Sequence, residues 1–415
     1  MRLGRLVPLA GNALLVTASL VASLAAGEVA LRILHPSARQ PFLVGQFLES
    51  ERGKFCAYDP QLGWMGKPGI DAPFHYLDCQ HRVRQNRHGF RGAEYGFERS
   101  DEPRIVVLGD SFVWGFGVED DQIFTSVLER ESDPPIEVVN LGVSGYGTDQ
   151  ELLLWRSLGR RFRPDGVLLV VCPYTDLWEN LSPVAYGYPK PIFHFTKHGH
   201  RIGNYPVPES QPGAWQPGRT GSEAAAAELA QRPLLARLAT HSALVSSAIV
   251  ALARFEGPRR LLERRRIIPA RDHAISWEPL AHLEPPPAEA AARWDTLFRL
   301  IDLLQQDVQA SGAALEILIV PSVIQVYPDL WEKFVRENPQ PEGARWNRDA
   351  PNQRIAAYAR EKGIPVIDPL PTLREAARTD LFLYYGWNSH WTAAGHRLVA
   401  GELLRDMALR HGGPR

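Results

Sequence analysis

Short apolar runs alternate with longer amphipathic stretches from Arg104 to the C-terminal region. The first run, Arg104-Ile-Val-Val-Leu108, is rich in β-branched residues and ends at Gly109, which is typical of a buried parallel strand. Strands are predicted at 105–108, 136–140, 167–171, 315–320 and 365–367. Helices are predicted at 122–131, 148–161, 288–310, 352–362 and 392–409. This order predicts an α/β fold in which helices cover both faces of a five-stranded parallel sheet.

The first predicted strand leads directly into Gly109-Asp110-Ser111-Phe112. Open α/β sheets bind their ligands at the carboxyl ends of the strands, and a serine at a strand-to-helix turn lies beside free backbone N–H groups. Ser111 is therefore a candidate nucleophile. Because a Gly-Asp-Ser tripeptide is common by chance, the rest of the chain must supply a base and an oxyanion site.

The N-terminus is predicted to be a membrane anchor. Arg2 and Arg5 precede the charge-free residues 6–27, which are long enough to cross a bilayer, and the flanking arginines favour a cytoplasmic N-terminus. A small-residue site at Ser23-Leu24-Ala25 leaves a cleavable signal peptide as the alternative. In both cases the rest of the chain is expected outside the cytoplasm, in the periplasm or secreted.

Composition excludes several other classes of protein. The 415 residues are 45% hydrophobic and 22% charged, with a formal net charge of −1, so no basic excess points to nucleic acid. The three cysteines, Cys56, Cys79 and Cys172, provide no zinc motif, although an oxidising compartment would permit a Cys56–Cys79 disulfide. No metal and no cofactor are expected, and the oligomeric state is not predicted.

Two regions depart from the strand and helix rhythm. Residues 36–100 are rich in turn formers and aromatics and are predicted to be an irregular β-type extension. Residues 181–286 are predicted to be a helical insertion in a domain spanning 101–410. Within the insertion, the nearly charge-free residues 238–253 precede an arginine-rich stretch. A packed helix with a basic face is favoured there, and a helix lying on an anionic membrane is the alternative.

Three further blocks follow strand ends or precede the last helix. Gly145 belongs to a glycine-bearing loop after the second strand, where a backbone N–H could stabilise an oxyanion. Thr175 and Asp176 follow the third strand. His390 precedes the last helix among aromatic residues, and its imidazole has the pKa that a general base needs. His396 falls inside that helix and is predicted to be structural.

Together these blocks resemble the SGNH (GDSL-type) hydrolase superfamily over roughly residues 100–410. Gly109-Asp110-Ser111 matches the nucleophile block, Gly145 the glycine of the second block, and His390 the base of the last block. The His390-Trp391 pair and the run at 83–92 are similar to a subgroup of membrane-anchored envelope proteins and alginate-type O-acetyltransferases. The resemblance implies a flavodoxin-like three-layer α/β/α fold.

Two residues depart from the pattern of that family. Thr175 stands where the third block carries the asparagine that completes the oxyanion hole, and losing one such donor costs about 10²–10³ in turnover. Asn388 stands two residues before His390, where the subgroup has aspartate. Asparagine can orient an imidazole, but it cannot stabilise imidazolium by charge.

The sequence therefore predicts an extracytoplasmic serine esterase or O-acyl(acetyl) transferase acting on an envelope glycan or a small ester. Ser111 would attack, His390 would act as base, and Asn388 would orient it. The backbone N–H groups of Ser111 and Gly145 would hold the oxyanion, with Thr175 as a third donor, and Asp176 would fix the third loop. Four aromatic residues are candidates for a sugar-binding cleft, with simple packing as the favoured role of each one taken singly: Trp114, Tyr146, Trp178 and Trp391. The alternative is a catalytically degenerate protein that binds a polysaccharide or an assembly partner.

Overall fold

The computed structural model describes residues 6–34, 54–76, 79–185, 188–209, 233–252, 256–265, 267, 279–338, 340, 342–379, 382–386 and 388–410. The chain divides into two compact units. The helical unit comprises Met1–Ser50, His75–Gln80 and Pro217–Arg271. The sheet unit comprises Glu51–Phe74, His81–Gln216 and Asp272–Arg415. The domain boundaries at 35 and 100 stay a prediction.

The described strands are β1 (Cys56–Asp59), β2 (Gly63–Gly66), β3 (Asp71–Tyr76), β4 (Cys79–Arg84), β5 (Arg104–Gly109), β6 (Glu137–Gly142), β7 (Gly166–Val171), β8 (Val184–Ala185), β9 (Tyr188–Pro189), β10 (Ile192–Thr196), β11 (Gly199–Gly203), β12 (Leu283–Glu284), β13 (Ala314–Ile319), β14 (Arg345–Trp346) and β15 (Val366–Ile367). The described α-helices are α1 (Leu6–Leu34), α2 (Ser111–Trp114), α3 (Phe124–Glu131), α4 (Thr148–Ser157), α5 (Pro173–Glu179), α6 (Leu234–His241), α7 (Ala243–Leu252), α8 (Glu256–Arg264), α9 (Ala288–Ala310), α10 (Val323–Val326), α11 (Pro328–Glu337), α12 (Ala350–Lys362), α13 (Leu370–Ala376) and α14 (Ala393–Arg410).

The centre of the sheet unit is a five-stranded parallel sheet with the order β15-β13-β7-β5-β6. All five strands predicted from the apolar runs are confirmed, and β5 lies between β6 and β7. In register, Leu108 of β5 pairs with Leu141 of β6 and with Leu169 of β7. The carboxyl ends of these three strands therefore meet at one edge, which is where the predicted blocks begin.

Helices cover both faces of this sheet. Since successive side chains of a strand point to opposite faces, each strand contributes residues to two cores. Val106 and Leu108 pack into one hydrophobic core with α4, α9 and α12. Val107 packs into the other core with α3, α13 and α14. Each such buried side chain contributes about 1.5–3 kcal/mol to stability. The predicted three-layer α/β/α arrangement is thus confirmed.

In the described part of the extension, residues 54–76 and 79–100, β1 pairs with β2 and β3 pairs with β4. The insertion predicted to be helical at 181–286 contains the helices α6, α7 and α8, but it begins with the strands β8 to β11, which the sequence did not predict. β10 and β11 form an antiparallel hairpin because Ile192-Phe-His-Phe-Thr196 has strand-forming residues and Gly199 adopts φ +127° at the turn. The three cysteines are thiols, so the Cys56–Cys79 disulfide is not formed.

The helical unit contains α1, α6, α7 and α8. The Glu28 carboxylate of α1 accepts hydrogen bonds from Ser242 Oγ at 2.8 Å and from the Leu244 N–H at 2.9 Å, and it pairs with Arg32 at 2.6 Å. Among the described residues, none of the helices combines the length and the apolar character needed to cross a membrane. The predicted transmembrane anchor at residues 1–35 is therefore not supported.

Candidate active site

Ser111 is the first residue of α2, and only Asp110 separates it from the end of the strand β5. Asp110 caps this short helix, since its carboxylate accepts a hydrogen bond from the Phe112 N–H at 2.9 Å. Gly109 allows the close approach of strand and helix, because a Cβ there would lie 2.3 Å from Val113 Cγ2. In the Gly-Asp-Ser sequence, the glycine thus permits close packing and the aspartate caps the helix. Together they place the serine at the strand end.

His390 lies beside Ser111 although the two residues are 279 positions apart in the chain. Ser111 Oγ is 2.6 Å from His390 Nε2, and His390 Nδ1 is 3.0 Å from Asn388 Oδ1. Because the amide oxygen of Asn388 can only accept, the proton of a neutral imidazole lies on Nδ1. The lone pair of Nε2 then faces the serine hydroxyl, which is the arrangement that a general base requires.

The loop before His390 is held by local hydrogen bonds. Asn388 Oδ1 also accepts from the His390 backbone N–H at 2.9 Å, and Tyr385 N–H donates to the His390 carbonyl at 2.8 Å. Ser389 adopts φ +58°, in the left-handed region that costs a non-glycine residue energy. This tight turn lets Asn388 Oδ1 reach both the backbone N–H and the Nδ1 of His390, two positions ahead.

Apolar surroundings keep the His390 imidazole uncharged. The ring stacks on Phe116 with centroids 4.4 Å apart, and the Phe112 ring lies 4.8 Å away. Burial lowers the pKa of His390 to about 3. The ring is therefore neutral near pH 7 and able to accept a proton. Among the described residues, the hydrogen-bond partner of its Nδ1 is the neutral Asn388, which offers no opposite charge to an imidazolium.

Gly145 lies in the turn between β6 and α4, beside the end of the strand that carries Ser111. It adopts φ +81°, a conformation that favours glycine, and it is buried. Gly147 follows as the residue that precedes α4. The role of the Ser111 and Gly145 N–H groups as oxyanion donors stays a prediction.

Thr175 and Asp176 lie in the first turns of α5, at the end of β7. The buried Asp176 carboxylate accepts from the Cys172 N–H at 2.8 Å, so Asp176 ties the helix start to the strand end. Thr175 Oγ donates to the Cys172 carbonyl at 3.2 Å. Since a hydroxyl has one proton, Thr175 must give up this bond to serve as the predicted oxyanion donor.

A group of buried carboxyl side chains lies around the segments that carry Asp110, α4 and α5, and the sequence did not reveal this group. Its members are Asp110, Asp149, Glu151, Asp176 and Glu179. Burial raises the pKa of Asp110 to about 6, and burial followed by the repulsion of Asp176 and Asp110 raises the pKa of Glu151 well above its usual range. The fully buried Lys190 forms an ion pair with Asp149. In sequence, Asp149 and Glu151 look like ordinary acidic residues of a first helical turn.

Residues 280–413 match the family model described as the SGNH hydrolase-like domain of acetyltransferase AlgX. This segment is an SGNH hydrolase-like domain. The resemblance predicted from the sequence motifs is thereby confirmed, and with it the prediction of an SGNH-type enzyme that acts on ester bonds. The matched segment includes Asn388 and His390, whereas Ser111 lies outside it.

Several solved structures are similar to the chain at low identity. A putative lipolytic protein of the G-D-S-L family from Desulfitobacterium hafniense DCB-2 is 13% identical, with coverage of 73% of this chain and 99% of that one and a TM-score of 0.34. A catalytic mutant of Axe2, an acetylxylan esterase from Geobacillus stearothermophilus, is 12% identical, with coverage of 77% and 98% and a TM-score of 0.36. No curated protein matches the chain. Scores this low carry no inference about the activity.

His396 belongs to the same SGNH hydrolase-like domain and is buried in α14. Its Nδ1 accepts a hydrogen bond from the Phe124 N–H at 3.3 Å, at the start of α3. Its ring stacks on Phe124 with centroids 6.0 Å apart. These contacts agree with the structural role that the sequence predicts.

The candidate aromatic residues do not share one environment. Trp114, Tyr146 and Trp391 are buried, and the Tyr146 hydroxyl donates to the Trp64 carbonyl, so these three pack in the interior instead of lining an open cleft. Trp178 is 36% exposed, with the Arg293 guanidinium 3.8 Å from its ring centroid. Within the part of the chain that the structure describes, no group of three or more His, Cys, Asp or Glu residues could hold a metal ion.

Proposed function

We propose that the protein is an extracytoplasmic serine esterase or O-acyltransferase that acts on an acetylated carbohydrate or another small ester. The observation that carries this proposal is the chain of contacts from Ser111 Oγ to His390 Nε2 at 2.6 Å and from His390 Nδ1 to Asn388 Oδ1 at 3.0 Å. The match of residues 280–413 to the domain of an acetyltransferase supports an acetyl group as the acyl unit.

In the first half-reaction, Ser111 Oγ attacks the carbonyl carbon of the ester while His390 Nε2 takes the hydroxyl proton. The backbone N–H groups of Ser111 and Gly145 would hold the resulting oxyanion, with Thr175 as a third donor once its hydroxyl leaves Cys172. The carbon–oxygen bond to the leaving alcohol then breaks, and His390 returns the proton to that oxygen. The product is an acyl-serine and a free hydroxyl group.

In the second half-reaction, His390 deprotonates water or the hydroxyl of an acceptor sugar, which attacks the acyl-serine. Ser111 leaves as an alkoxide and regains its proton from His390. Water gives hydrolysis and a sugar hydroxyl gives acyl transfer, so the same residues serve both reactions. Neutral Asn388 holds the imidazole in the correct tautomer throughout but supplies no charge to the imidazolium.

A serine-directed fluorophosphonate tests this proposal. The purified wild-type chain should form an adduct at Ser111, detected by mass spectrometry of the peptides, and Ser111→Ala should form none. Ser311→Ala is the matched control, because Ser311 lies at the C-terminal end of α9 and its hydroxyl bonds only the preceding turn at Val308. No adduct in the wild type, or an equal adduct in Ser111→Ala, would contradict the proposal.

The two outcomes of the second half-reaction can be separated with an activated acetate ester as donor. We expect release of free acetate in buffer alone and acetylation of an added oligosaccharide if the protein is a transferase. Mass spectrometry of the oligosaccharide measures the transfer. Loss of both products in Ser111→Ala ties them to the same nucleophile.

A protein that binds a glycan without turning it over is the second candidate. Two observations favour it: Asn388 is neutral, and Thr175 donates within its own turn. Under this alternative, the wild type would take up no fluorophosphonate, while the double variant Thr175→Asn, Asn388→Asp would. Binding of an acetylated oligosaccharide by Ser111→Ala, measured by calorimetry, would remain at the wild-type affinity.

The location outside the cytoplasm rests on Arg2, Arg5 and the charge-free residues 6–27. Fusion of residues 1–60 to a reporter that is active only in the periplasm tests it. Activity of the reporter is expected, and its loss when residues 6–27 are deleted would show that this segment directs export. An inactive full fusion would overturn this part of the proposal.

A further inference from the structure

The loop at residues 115–118 connects the nucleophile segment to the base loop. The Phe116 N–H donates to the Ser111 carbonyl at 3.0 Å. On the other side, the Tyr385 hydroxyl donates to the Gly117 carbonyl at 2.7 Å. One short loop is therefore hydrogen-bonded to the residue that would attack and to the segment that carries the base.

The same loop places an aromatic ring on the imidazole. Phe116 stacks on His390 with centroids 4.4 Å apart and an interplanar angle of 19°. Phe116 is itself only 7% exposed, and the Phe74 ring of the extension meets it edge-on at 5.0 Å. A stacked, supported ring restricts rotation of the imidazole about its Cβ–Cγ bond and excludes water from it.

A fully buried arginine fixes the position of this loop. The Arg91 guanidinium donates to the carbonyls of Trp114 at 3.2 Å, Gly115 at 2.6 Å and Val118 at 2.8 Å. Its Nε also donates to Asp120 Oδ1 at 2.7 Å, which balances the buried charge. Only a planar fork of five donors can satisfy acceptors in this arrangement, so lysine could not replace Arg91.

Two glycines allow the loop to take its path. Gly115 and Gly117 adopt φ +81° and +93°, which other residues rarely do. A Cβ at Gly117 would lie 2.6 Å from the Tyr385 ring, so this position must also be small for the base loop to approach. Arg91, Tyr385 and the two glycines therefore all support the observed conformation of the loop.

We propose that Phe116 is a positioning residue for His390, and that Arg91 sets Phe116 by holding the 115–118 loop against the base loop. This inference rests on the proposed role of His390 as the base. Its consequence is that the run at 83–92, which lies outside the predicted hydrolase core, takes part in aligning the Ser111–His390 pair. Simple core packing by Phe116 would predict a loss of stability with no change at His390.

Titration of His390 separates the two explanations. Among the described residues, the charged and titratable groups packed around this part of the site include His81, Arg91, Asp110, Asp120, Tyr174, Tyr385 and His396. All of these residues are retained in the Phe116 variants. Because burial is what lowers the pKa of His390, removing the ring that covers it should raise that pKa toward its usual 6.5.

The experiment compares Phe116→Ala with Phe116→Leu by NMR of chains containing labelled histidine, with the His390 signal assigned from His390→Gln. In Phe116→Ala, the pKa of His390 should rise by about one pH unit or more, and kcat/KM for an acetate ester should fall about tenfold or more. Phe116→Leu keeps an apolar cover, so its pKa and its rate should stay close to those of the wild type.

Phe334→Ala is the control for the loss of a buried phenyl ring. Phe334 packs against Trp331 and Trp346, so its truncation should destabilise the chain and leave the His390 titration unchanged. An unchanged pKa of His390 in Phe116→Ala, or an equal rise in Phe334→Ala, would overturn the inference. A wild type that forms no adduct at Ser111 would count against the proposed function instead, since the NMR readout does not need turnover.

Discussion

The two sides of the candidate active site bury ionisable groups among different neighbours. On the base side, His390 packs against the rings of Phe112 and Phe116, and its Nδ1 bonds the neutral Asn388. On the other side lies the group of buried carboxyl residues with Lys190 among them. Burial dominates both sides: it lowers the pKa of His390 to about 3 and raises the pKa of Asp110 to about 6.

This difference separates the determinants of rate from those of stability. A neutral apolar support orients the base but does little for an imidazolium, so changes beside His390 should act mainly on turnover. A buried ion pair is costly to break, so changes in the carboxyl group should act mainly on folding. Substitutions on the two sides test whether the division holds.

The largest effect is expected from Lys190→Met. The Lys190 ammonium pairs with Asp149 and donates to the Glu179 carbonyl at 2.9 Å, and both side chains of the ion pair are fully buried. Removing it leaves a buried carboxylate without its cation, which costs about 3–5 kcal/mol of the free energy of unfolding. Urea titration at pH 7.5 measures the loss.

Lys362→Met is the matched control, because Lys362 pairs with Asp302 at 2.6 Å with both side chains about one-third exposed. An exposed pair contributes less than about 1 kcal/mol. Equal losses in the two variants would show that burial does not distinguish the Lys190 pair. The double variant Lys190→Met, Asp149→Leu should recover most of the stability, since it leaves no charge unpaired.

Asn388→Asp should have the next largest effect, in the direction of higher activity. A carboxylate beside His390 Nδ1 would raise the pKa of the imidazole and stabilise the imidazolium, whereas the reverse change in a serine protease triad costs about 10⁴ in turnover. We expect kcat for an activated acetate ester to rise by about 10². Steady-state kinetics at pH 7.5 measure the change.

Asn338→Asp provides the control, since Asn338 ends α11 and its side chain bonds the Phe334 carbonyl at 2.8 Å. It should leave kcat unchanged. A rate for Asn388→Asp equal to or below that of the wild type would mean that the base side does not need a charge. The comparison between the two sides would then have to be abandoned.

The sequence predicted the parts of the site that local patterns determine. Ser111 follows a β-branched run bounded by glycine, and His390 precedes an amphipathic helix, so both positions could be assigned from their neighbours in the chain. Phe116 and Arg91 could not, because their contacts join segments distant in sequence. The hairpin at 192–203 was missed because proline-rich neighbours hide its alternation.

The aromatic residues show the same limit of prediction from sequence, because here the sequence offers site candidates that the structure places in the interior. Trp114, Tyr146 and Trp391 are candidates for an open cleft because aromatic faces stack on sugar rings, but the structure buries all three, in agreement with the packing role that is favoured for each one singly. A large apolar side chain is equally compatible with the core and with a sugar-binding surface, so its identity alone does not distinguish the two locations. Only the packing of the sheet against its helices decides between them.

The smallest effect concerns the pH dependence of stability, in which the two sides oppose each other. Burial lowers the pKa of His390 and of His396 to about 3, so the unfolded chain takes up protons first as the pH falls below 6.5 and stability decreases. Asp110, with its pKa raised to about 6, takes up a proton first in the folded chain between pH 6 and 3.8, which increases stability. Glu151, whose pKa burial also raises, acts in the same direction as Asp110, so the carboxyl side opposes the two histidines with more than one group.

His396→Gln tests this balance without touching Ser111 or His390. The glutamine oxygen can still accept from the Phe124 N–H, and the variant removes one of the two groups that destabilise the fold in acid. Between pH 7 and 5, the free energy of unfolding of the wild type should fall more steeply than that of the variant, by at most about 1.4 kcal/mol per pH unit. Parallel slopes for the wild type and His396→Gln would show that the buried imidazoles do not titrate differently on unfolding, and that the carboxyl side alone governs the response to acid.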